Sequence, residues 1–441
     1  SDIAAGLSAS PLAQALPLPQ IAAMVAAMNT NLTRAHALAL DAADPLGDLV
    51  DEFDVAPGTI HLAGNSLGPL PRAAATAVAD AVHEQWGRGL VTSWNKAGWF
   101  DLPYRMGDSI AALIGAEAGE VVMTDSTGIN LFKLVAAATA LNPDRRVIVM
   151  EGSNFPTNNY VVQGLLRWLG QGHQIRFAKS AELADAITGD VAAVALTHTH
   201  YRSAHILDMA ALTAKAHAAG ALAVWDLCHS AGALPVDLNA CNADFAVGCT
   251  YKYLNGGPGS PGFAYAAARH HAALDQPLTG WWSHRAPFAF DRDYVPADGI
   301  GRLLTGTQPI LSMVAAQAGL DLAARAGTDA ARAKSMALGA LFVDLLAARL
   351  PDAGFRLASP RDAAARGGHV AYDQDDGYPL MKALISRGVI GDFRAPTTMR
   401  FGFSPLYLRY ADIWDAVDRL VAVVDSGLWR APEFQIAEAV T

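Results

Sequence analysis

The chain has 441 residues, about three times the length of a typical domain, so one large domain or two fused domains are expected. Hydrophobic residues make up 52% of it and charged residues only 17%, which excludes a disordered protein, because disorder requires low hydrophobicity and high net charge. The net charge of −10 and the absence of a Lys/Arg cluster argue against nucleic acid or an anionic membrane as a partner.

The cysteines and the N-terminal segment bear on the cellular compartment. Cys228, Cys241 and Cys249 are too few for a secreted disulfide scaffold and form no C-x-x-C pair, so a reducing, cytoplasmic compartment is expected. The segment Ile3–Thr33 is uncharged, but three prolines break it and no basic residue precedes it. We therefore interpret it as a loose arm with a helix near Ile21–Met28 rather than as a signal or membrane segment.

Seven short apolar segments alternate with helical periodicity, a pattern typical of a parallel sheet covered by helices. The predicted strands are Val121–Thr124, Arg146–Met150, Gln174–Phe177, Val191–Leu196, Ala221–Trp225, Phe245–Cys249 and Gly262–Ala266. The predicted helices between them are Gly128–Ala140, Asn159–Leu169, Ala181–Ile187 and Met209–Ala219. The chain is therefore predicted to be an α/β protein with a seven-stranded, mostly parallel sheet.

The C-terminal third has a different pattern. An aromatic, loop-like stretch at Gly280–Gly301 is followed by two long predicted helices, Ile310–Ala324 and Ala330–Arg349, and then by mixed strand and helix. We expect a large α/β domain at residues 60–305. A small α+β domain would combine residues 1–59 with residues 306–441. In open parallel sheets ligands bind beyond the carboxyl ends of the strands, so the residues that follow the strands are the candidates for a site.

The segment Thr124–Asn130 follows the first predicted strand and opens a helix. Its small hydroxyl residues and its glycine are compatible with an anion site at the helix N-terminus or with simple N-capping. The sequence has no P-loop and no G-x-G-x-x-G motif in the first βα unit, so nucleotide and dinucleotide sites are not indicated. His198 and His200 lie two residues apart without a third ligand at a suitable spacing, so no metal site is predicted.

Two charged residues end neighbouring apolar strands. Asp226 would be costly there unless it caps a turn, pairs with an Arg or faces a cationic ligand. Lys252 follows the next strand and precedes a glycine-rich loop. The chain has seven lysines, and the other six occupy helical or surface positions where a solvated ammonium is expected. A lysine that can form a Schiff base, a carboxylate for a pyridinium and a helix N-terminus for a phosphate together match pyridoxal phosphate.

Several motifs along the chain resemble those of the kynureninase family. They lie in order from about residue 55 to residue 425, in the segments His61–Arg72, Ser93–Asn95, Asp125–Lys133, Asn154–Thr157, Asp226–His229, Tyr251–Lys252, Gly280–Trp281, Leu304–Ser312 and Met399–Tyr407. The resemblance implies a fold type I pyridoxal-phosphate enzyme that forms a homodimer with shared sites. It also implies hydrolysis of L-kynurenine to anthranilate and L-alanine, as in tryptophan catabolism.

The resemblance also implies roles for individual residues. Lys252 is expected to carry the Schiff base, Tyr251 to exchange protons as an acid/base and Arg400 to bind the substrate α-carboxylate. The other expected cofactor contacts are Asp226 at the pyridinium, Phe155 on the ring, Ser126 and Thr127 at the phosphate, Asn158, His229, and Trp281 and Thr307 from the partner subunit. Trp94, Asn65 and His229 are expected to line the aromatic end of the substrate.

Three places depart from the family pattern. Asn158 and Ala63 stand where the family usually carries Asp, and the segment His200–Ala204 replaces a usual Asn-Tyr-Arg-Thr-Gly run. Asn158 keeps a hydrogen-bonding group near the cofactor but not a charge. These changes are either neutral or the mark of an altered substrate, such as a ring-hydroxylated or ring-methylated kynurenine.

Two other functions remain open from the sequence. The same fold supports aminotransferases and cysteine desulfurases, although a desulfurase needs a cysteine on a mobile loop, and here all three lie within Cys228–Cys249. A non-enzymatic binding or regulatory protein of this fold would need a DNA-binding appendage, and the first 60 residues show no basic helix-turn-helix pattern.

Overall fold

The computed structural model describes residues 33–436 and residue 438. The predicted helix Ile21–Met28 and the arm before it lie outside these described residues. Within them, no helix is both long enough and apolar enough to cross a membrane.

The strands include all seven that the sequence predicts, so that part of the prediction is confirmed. They are β1 (Phe53–Asp54), β2 (Ile60–His61), β3 (Leu70–Pro71), β4 (Val121–Met123), β5 (Val147–Glu151), β6 (Gln174–Ala178), β7 (Val191–Thr197), β8 (Leu222–Asp226), β9 (Phe245–Cys249), β10 (Gly262–Ala266), β11 (Arg356–Leu357), β12 (His369–Asp373), β13 (Val389–Ile390), β14 (Asp392–Arg394) and β15 (Thr398–Gly402).

The predicted helices are also present, although the segment at 181–187 consists of a 3₁₀ turn followed by one α-helical turn. The α-helices are α1 (Arg34–Ala42), α2 (Arg72–Asp80), α3 (Ser93–Lys96), α4 (Leu102–Leu113), α5 (Thr127–Leu141), α6 (Pro156–Leu169), α7 (Leu183–Ala186), α8 (Met209–Ala218), α9 (Ile310–Ala326), α10 (Thr328–Arg349), α11 (Gly377–Ser386) and α12 (Tyr410–Ser426). The side chain of Asp208 caps α8 by accepting a hydrogen bond of 2.9 Å from the backbone N–H of Ala211.

The central sheet has seven strands in the order β4-β10-β9-β8-β7-β5-β6. Strands β5 to β9 pair in parallel, and β10 runs antiparallel to both β9 and β4. The predicted mostly parallel α/β architecture is therefore confirmed. Because β8 and β9 are parallel neighbours, Asp226 at the end of β8 and the loop that follows β9 lie at the same edge of the sheet.

Helices cover both faces of this sheet, which its fully buried central strands require. One face packs against α4, α8 and α9, and the other packs against α5 and α6. A separate apolar core joins the four-stranded antiparallel sheet β11-β12-β15-β14 to α1, α10, α11 and α12.

The two-domain division at residue 305 stays a prediction. The second core supports it, because Leu49 and Phe53 from the N-terminal side pack there with Phe342 and Phe401. Helix α9 complicates the boundary, since its residues 313, 316 and 320 face the central sheet whereas its residues 322 and 326 belong to the second core.

Candidate active site

A cavity of about 830 Å³ opens beyond the carboxyl ends of β4, β8 and β9. The loop at 305–309 and the hairpin of β14 and β15 complete its walls. Nearly all of the predicted site residues line it: Asn65, Ser126, Thr127, Phe155, Asn158, Asp226, His229, Tyr251, Lys252, Thr307 and Arg400. Cavities of this size hold small molecules and cofactors.

Lys252 lies in the loop after β9, and its Nζ is 3.0 Å from Nε2 of His229. His229 is fully enclosed in the turn after β8. Burial, followed by the nearby Lys252 charge, holds the pKa of its imidazole well below the usual range. His229 is therefore neutral and can accept a hydrogen bond from the Lys252 amino group.

Asp226 is buried at the end of β8 and is held by hydrogen-bond donors. Its Oδ1 accepts from the backbone N–H of Cys228 at 2.8 Å, and its Oδ2 accepts from Nδ2 of Asn158 at 2.7 Å. Asn158 reaches it from the first turn of α6, while Thr197 at the end of β7 is 3.5 Å away. These donors stabilise a carboxylate, and a charged carboxylate can pair with a protonated ring nitrogen.

Ser126 and Thr127 form the N-terminus of α5 and line the cavity. Ser126 caps the helix, with its side chain 3.5 Å from the backbone N–H of Ile129. The first backbone N–H groups of a helix have no partner within it and attract anions. Gly128 adds no side chain here. Thr307, which the resemblance assigns to the partner subunit, lines the cavity of its own chain. This part of the cavity suits a phosphate.

Lys133 and Lys334 are buried, so the expectation of a solvated ammonium is wrong for both. Lys133 lies two turns into α5, and its Nζ is 2.5 Å from both Oδ2 of Asp125 and the carbonyl oxygen of Leu303. Lys334 forms an ion pair of 2.6 Å with Asp44. Both lysines lie on helices, and their polar partners are brought to them by the fold, which composition alone cannot show. Neither lines the cavity.

Tyr251 and Phe155 flank the space in front of Lys252. The neighbouring Cys249, and then burial, raise the pKa of the Tyr251 phenol above its ordinary value, so this hydroxyl stays protonated at neutral pH. Phe155 is 45% exposed although it is large and apolar, and its ring meets Tyr201 edge to face at 5.2 Å. A planar ligand could therefore stack on the free part of the Phe155 ring.

Arg400 lines the cavity but already has partners. Its Nε donates to Oδ1 of Asp392 at 2.7 Å, its Nη2 donates to the other oxygen of that carboxylate, and its Nη1 donates to the carbonyl of Tyr201 at 2.5 Å. Arg394 also lines the cavity and shares Asp392 at 3.1 Å. Sequence reasoning missed Arg394. The available signal was its place in a short hairpin, six residues before Arg400.

Asn65 is completely buried beside the cavity, and neither its Oδ1 nor its Nδ2 has a hydrogen-bond partner. A buried amide without partners is costly unless a ligand or water satisfies it. This observation supports its predicted contact with a bound molecule.

Trp94 and Trp281 do not line the cavity of their own chain. Trp94 packs edge-on against Trp99 and Trp282, with ring centroids 5.6 Å apart in both pairs. Trp281 contacts Trp282 and Phe288 at 5.1 and 6.0 Å. The segments that carry these rings pack onto each other, and the backbone N–H of Trp282 donates to the carbonyl of Thr305 in the loop at 305–309 at 3.1 Å. The contact of Trp281 with the site of a partner subunit and of Trp94 with the substrate stay predictions.

The donor set fits pyridoxal phosphate. The cavity places an amino group, a buried carboxylate, a helix N-terminus and an accessible aromatic face around one space. Among the described residues, no group of three His, Cys, Asp or Glu side chains could hold a metal ion.

The fold resembles solved structures of low sequence identity. A cysteine desulfurase from Thermococcus onnurineus has a TM-score of 0.73 at 18% identity, with 86% of this chain and 98% of that chain covered. A cysteine desulfurase from Escherichia coli has a TM-score of 0.72 at 19% identity, with 87% and 98% covered. The protein C-DES, solved with glycine covalently linked to its PLP cofactor, has a TM-score of 0.72 at 17% identity, with 84% and 98% covered.

The sequence itself gives a closer match. Residues 331–420 match the model of the kynureninase C-terminal domain. A kynureninase from Burkholderia pseudomallei is 50% identical over 414 residues, which is 93% of this chain and 100% of that protein. A kynureninase from Pseudomonas fluorescens is 48% identical over the same shares of both chains. The chain belongs to the kynureninase family.

Proposed function

We propose that this protein is a kynureninase, which uses pyridoxal phosphate to hydrolyse L-kynurenine to anthranilate and L-alanine. The observation that carries the proposal is the meeting of Lys252, Asp226 and the N-terminus of α5 in one cavity. Family membership at 50% identity supports the same reaction.

Each residue of the cavity has a chemical task in this proposal. Lys252 Nζ would hold the cofactor aldehyde and move the α-proton of the substrate, and Asp226 would keep the ring nitrogen protonated. Bound pyridoxal phosphate would supply an electron sink next to the α-carbon. The protonated Tyr251 hydroxyl can donate a proton near Lys252, while neutral His229 orients the lysine amino group.

The substrate carboxylate would meet a pair of arginines. Asp392 fixes the Arg400 guanidinium through two parallel hydrogen bonds, and Arg394 shares the same carboxylate. The two guanidinium groups and the one carboxylate carry a net charge of about +1 in a fixed geometry, and such a site suits a substrate carboxylate. Asn65 packs beside Gly402 of the strand that carries Arg400, and its unpaired amide could be satisfied by the same substrate.

We further propose a homodimer whose sites are completed by the aromatic surface, defined here as Trp281, Phe288 and Phe290. Phe288 is 65% exposed and Phe290 is 84% exposed, although both are large and apolar. A second copy that covers this surface would bring Trp281 to the neighbouring site, as the family resemblance implies. A cytoplasmic location is supported by the three cysteines, which are all free thiols.

Of the three departures from the family pattern, Ala63 lies outside the cavity wall, whereas the segment His200–Ala204 reaches it through Tyr201. Ala63 does not line the cavity, and His200 instead contacts the carbonyl of Ser153 at 3.0 Å. Asn158 does line the cavity, where its Nδ2 donates to Asp226. We propose unsubstituted L-kynurenine as the substrate, because the one changed side chain that lines the cavity, Asn158, is engaged with Asp226.

The test is incubation of the holoenzyme with L-kynurenine and, separately, with 3-hydroxykynurenine, while the aromatic product and alanine are measured by chromatography. From L-kynurenine, anthranilate and alanine are expected in equal amounts. Formation of a keto acid with conversion of the cofactor to its amino form would instead indicate an aminotransferase.

Lys252→Ala is expected to abolish both the reaction and the absorption band of the lysine-bound cofactor. Lys179→Ala is the matched control, because the Lys179 side chain is 85% exposed and forms only a surface ion pair with Glu182. Persistence of the band in Lys252→Ala would remove that lysine from its assigned role.

A further inference from the structure

Asp125 is an acidic residue of the cavity wall that none of the assigned roles uses. Among the described residues that line the cavity, two carry a carboxylate, Asp125 and Asp226. Asp125 directly precedes Ser126, the N-cap of α5, so it lies next to the backbone N–H groups proposed to bind the cofactor phosphate. A phosphate carries about −1.5 to −2 charges at pH 7, so an uncompensated carboxylate in this place would repel it.

Lys133 is the cation in contact with Asp125. Its side chain is completely buried and does not line the cavity, and its Nζ is 2.5 Å from Oδ2 of Asp125. Burial lowers the pKa of the Lys133 ammonium, and the Asp125 carboxylate opposes that shift. An ion pair at this distance has no net charge, so Lys133 cancels the negative charge of Asp125 at the cavity wall.

The same ammonium joins two segments that form this part of the cavity. Lys133 Nζ is also 2.5 Å from the carbonyl oxygen of Leu303, which lies just before the cavity-lining loop at 305–309. Within that loop, Oγ1 of Thr305 is 3.4 Å from Oδ2 of Asp125. The pair of Lys133 and Asp125 therefore connects the start of α5 to this loop.

We propose that Lys133 is a positioning residue for cofactor binding, which neutralises Asp125 and holds it against the loop at 305–309 so that the phosphate can bind at the N-terminus of α5. The inference rests on the proposed placement of the phosphate there. A purely structural role, such as that of the buried Lys334, would affect every ligand of the cavity equally. Selectivity for the phosphate is therefore the property to measure.

The test compares two ligands that differ only in the phosphate. Cofactor is dialysed out of the full-length protein, which is then titrated with pyridoxal phosphate or with pyridoxal while the absorption band of the Lys252 Schiff base is followed. Lys133→Met should weaken pyridoxal phosphate binding by at least about 10-fold, and pyridoxal binding by less than about 2-fold, because the unpaired carboxylate repels only the phosphate. Equal effects on the two ligands, or no effect on either, would overturn the inference.

Removal of the carboxylate should rescue binding. Asp125 has a φ of 46°, a region in which Asp and Asn are enriched among non-glycine residues, so Asn preserves the backbone. The double variant Lys133→Met, Asp125→Asn has no charge left to neutralise, and its affinity for pyridoxal phosphate should return to within about 3-fold of the unsubstituted value. It also contains no unpaired buried charge, so it tests the inference even if Lys133→Met alone does not fold. A double variant still weakened by about 10-fold or more would overturn the inference.

Lys334→Met is the matched control. Lys334 is also buried and forms an ion pair of 2.6 Å with Asp44, but neither residue lines the cavity. Its substitution should lower the free energy of unfolding while the affinities for pyridoxal phosphate and pyridoxal keep their ratio. A loss selective for pyridoxal phosphate in this variant would show that the effect does not depend on Asp125 and would overturn the inference.

Thr127→Val separates the inference from the proposed phosphate placement. Thr127 lines the cavity in the first turn of α5, so loss of its hydroxyl should weaken pyridoxal phosphate more than pyridoxal. If Thr127→Val is selective and Lys133→Met is not, the inference alone fails. If neither is selective, the phosphate placement fails with it. The reaction itself is judged independently by the product assay.

Discussion

Asn158 shows how one side chain determines the charge of the cavity. Its Nδ2 donates to Oδ2 of Asp226 at 2.7 Å, and it lies 3.5 Å from the Oδ1 of Asn154. That oxygen also accepts from Thr197 at 2.6 Å and from the backbone of Phe155 at 2.7 Å. The Oδ1 of Asn154 thus accepts from Phe155 and Thr197, so the Asn158 side chain can only turn its Nδ2 donor toward this oxygen. Asp226 is consequently the single carboxylate at this point.

Asn158→Asp would place two carboxyl groups at hydrogen-bonding distance. Like charges this close share one proton, which raises the pKa of one member of the pair. The acidic limb of the kcat/KM profile should therefore move to higher pH, by at least about one pH unit. The measurement is kcat/KM for kynurenine as a function of pH.

The neighbouring Asn159→Asp is the control for this change. The Asn159 amide faces the carbonyl of Gly152 at 3.4 Å and does not contact Asp226. Its pH profile should match that of the unsubstituted enzyme. Identical profiles for both variants would mean that Asn158 does not govern the ionisation of Asp226.

The two arginines of the cavity should respond differently to truncation. Arg400→Ala leaves Asp392 buried without its two parallel hydrogen bonds, which typically costs about 3–5 kcal/mol of unfolding free energy. Arg394→Ala leaves Arg400 in place, so its stability loss should be small while KM rises. Urea unfolding and KM measured on both variants separate the two effects. An unchanged KM in Arg394→Ala would exclude it from carboxylate binding.

At the scale of elements, α9 sets the position of the loop that carries Lys252. A Cβ atom added at Gly319 would lie 2.0 Å from the carbonyl oxygen of Leu254, two residues after Lys252. The helix therefore packs directly on this loop, and only glycine permits that approach.

Gly319→Ala should force α9 and the loop apart. The expected results are a loss of about 1–3 kcal/mol of unfolding free energy and a weaker cofactor absorption band, because overpacking shifts the backbone. Gly164→Ala on α6 is the matched control, since no atom lies within 4 Å of the added Cβ. That change should leave stability equal or raise it by up to about 1 kcal/mol.

The elements were largely predictable and their side-chain partners were not. Alternating apolar segments predicted all seven strands, and the strand ends predicted Asp226 and Lys252, because buried strands have a clear pattern. The buried Lys133 was missed because its partner Asp125 depends on how β4 turns into α5. Arg394 was missed because it reaches the cavity through the antiparallel pairing of β14 with β15, which no motif in the sequence marks.

At the scale of the whole molecule, the aromatic surface is the strongest candidate for contact between copies. Phe290→Ser should weaken the proposed dimer by removing an exposed aromatic ring, and sedimentation velocity at several protein concentrations should show more monomer. Kynureninase activity should fall in parallel, because Trp281 would no longer reach the neighbouring site.

Phe177→Ser is the control for this surface. Phe177 is 47% exposed on β6, which is the edge strand opposite β4 in the central sheet. Its substitution should leave the sedimentation coefficient unchanged. Equal effects of the two substitutions would show that the aromatic surface is not a specific interface.

Because α9 contributes side chains to both apolar cores, neither core can open alone without exposing part of this helix. The two halves of the chain should therefore melt together, as one calorimetric transition with a calorimetric enthalpy close to the van't Hoff enthalpy. Two resolved heat-absorption peaks would contradict this. If melting is cooperative, a substitution in the C-terminal sheet reduces the population of intact active sites as much as an equally destabilising substitution beside Lys252.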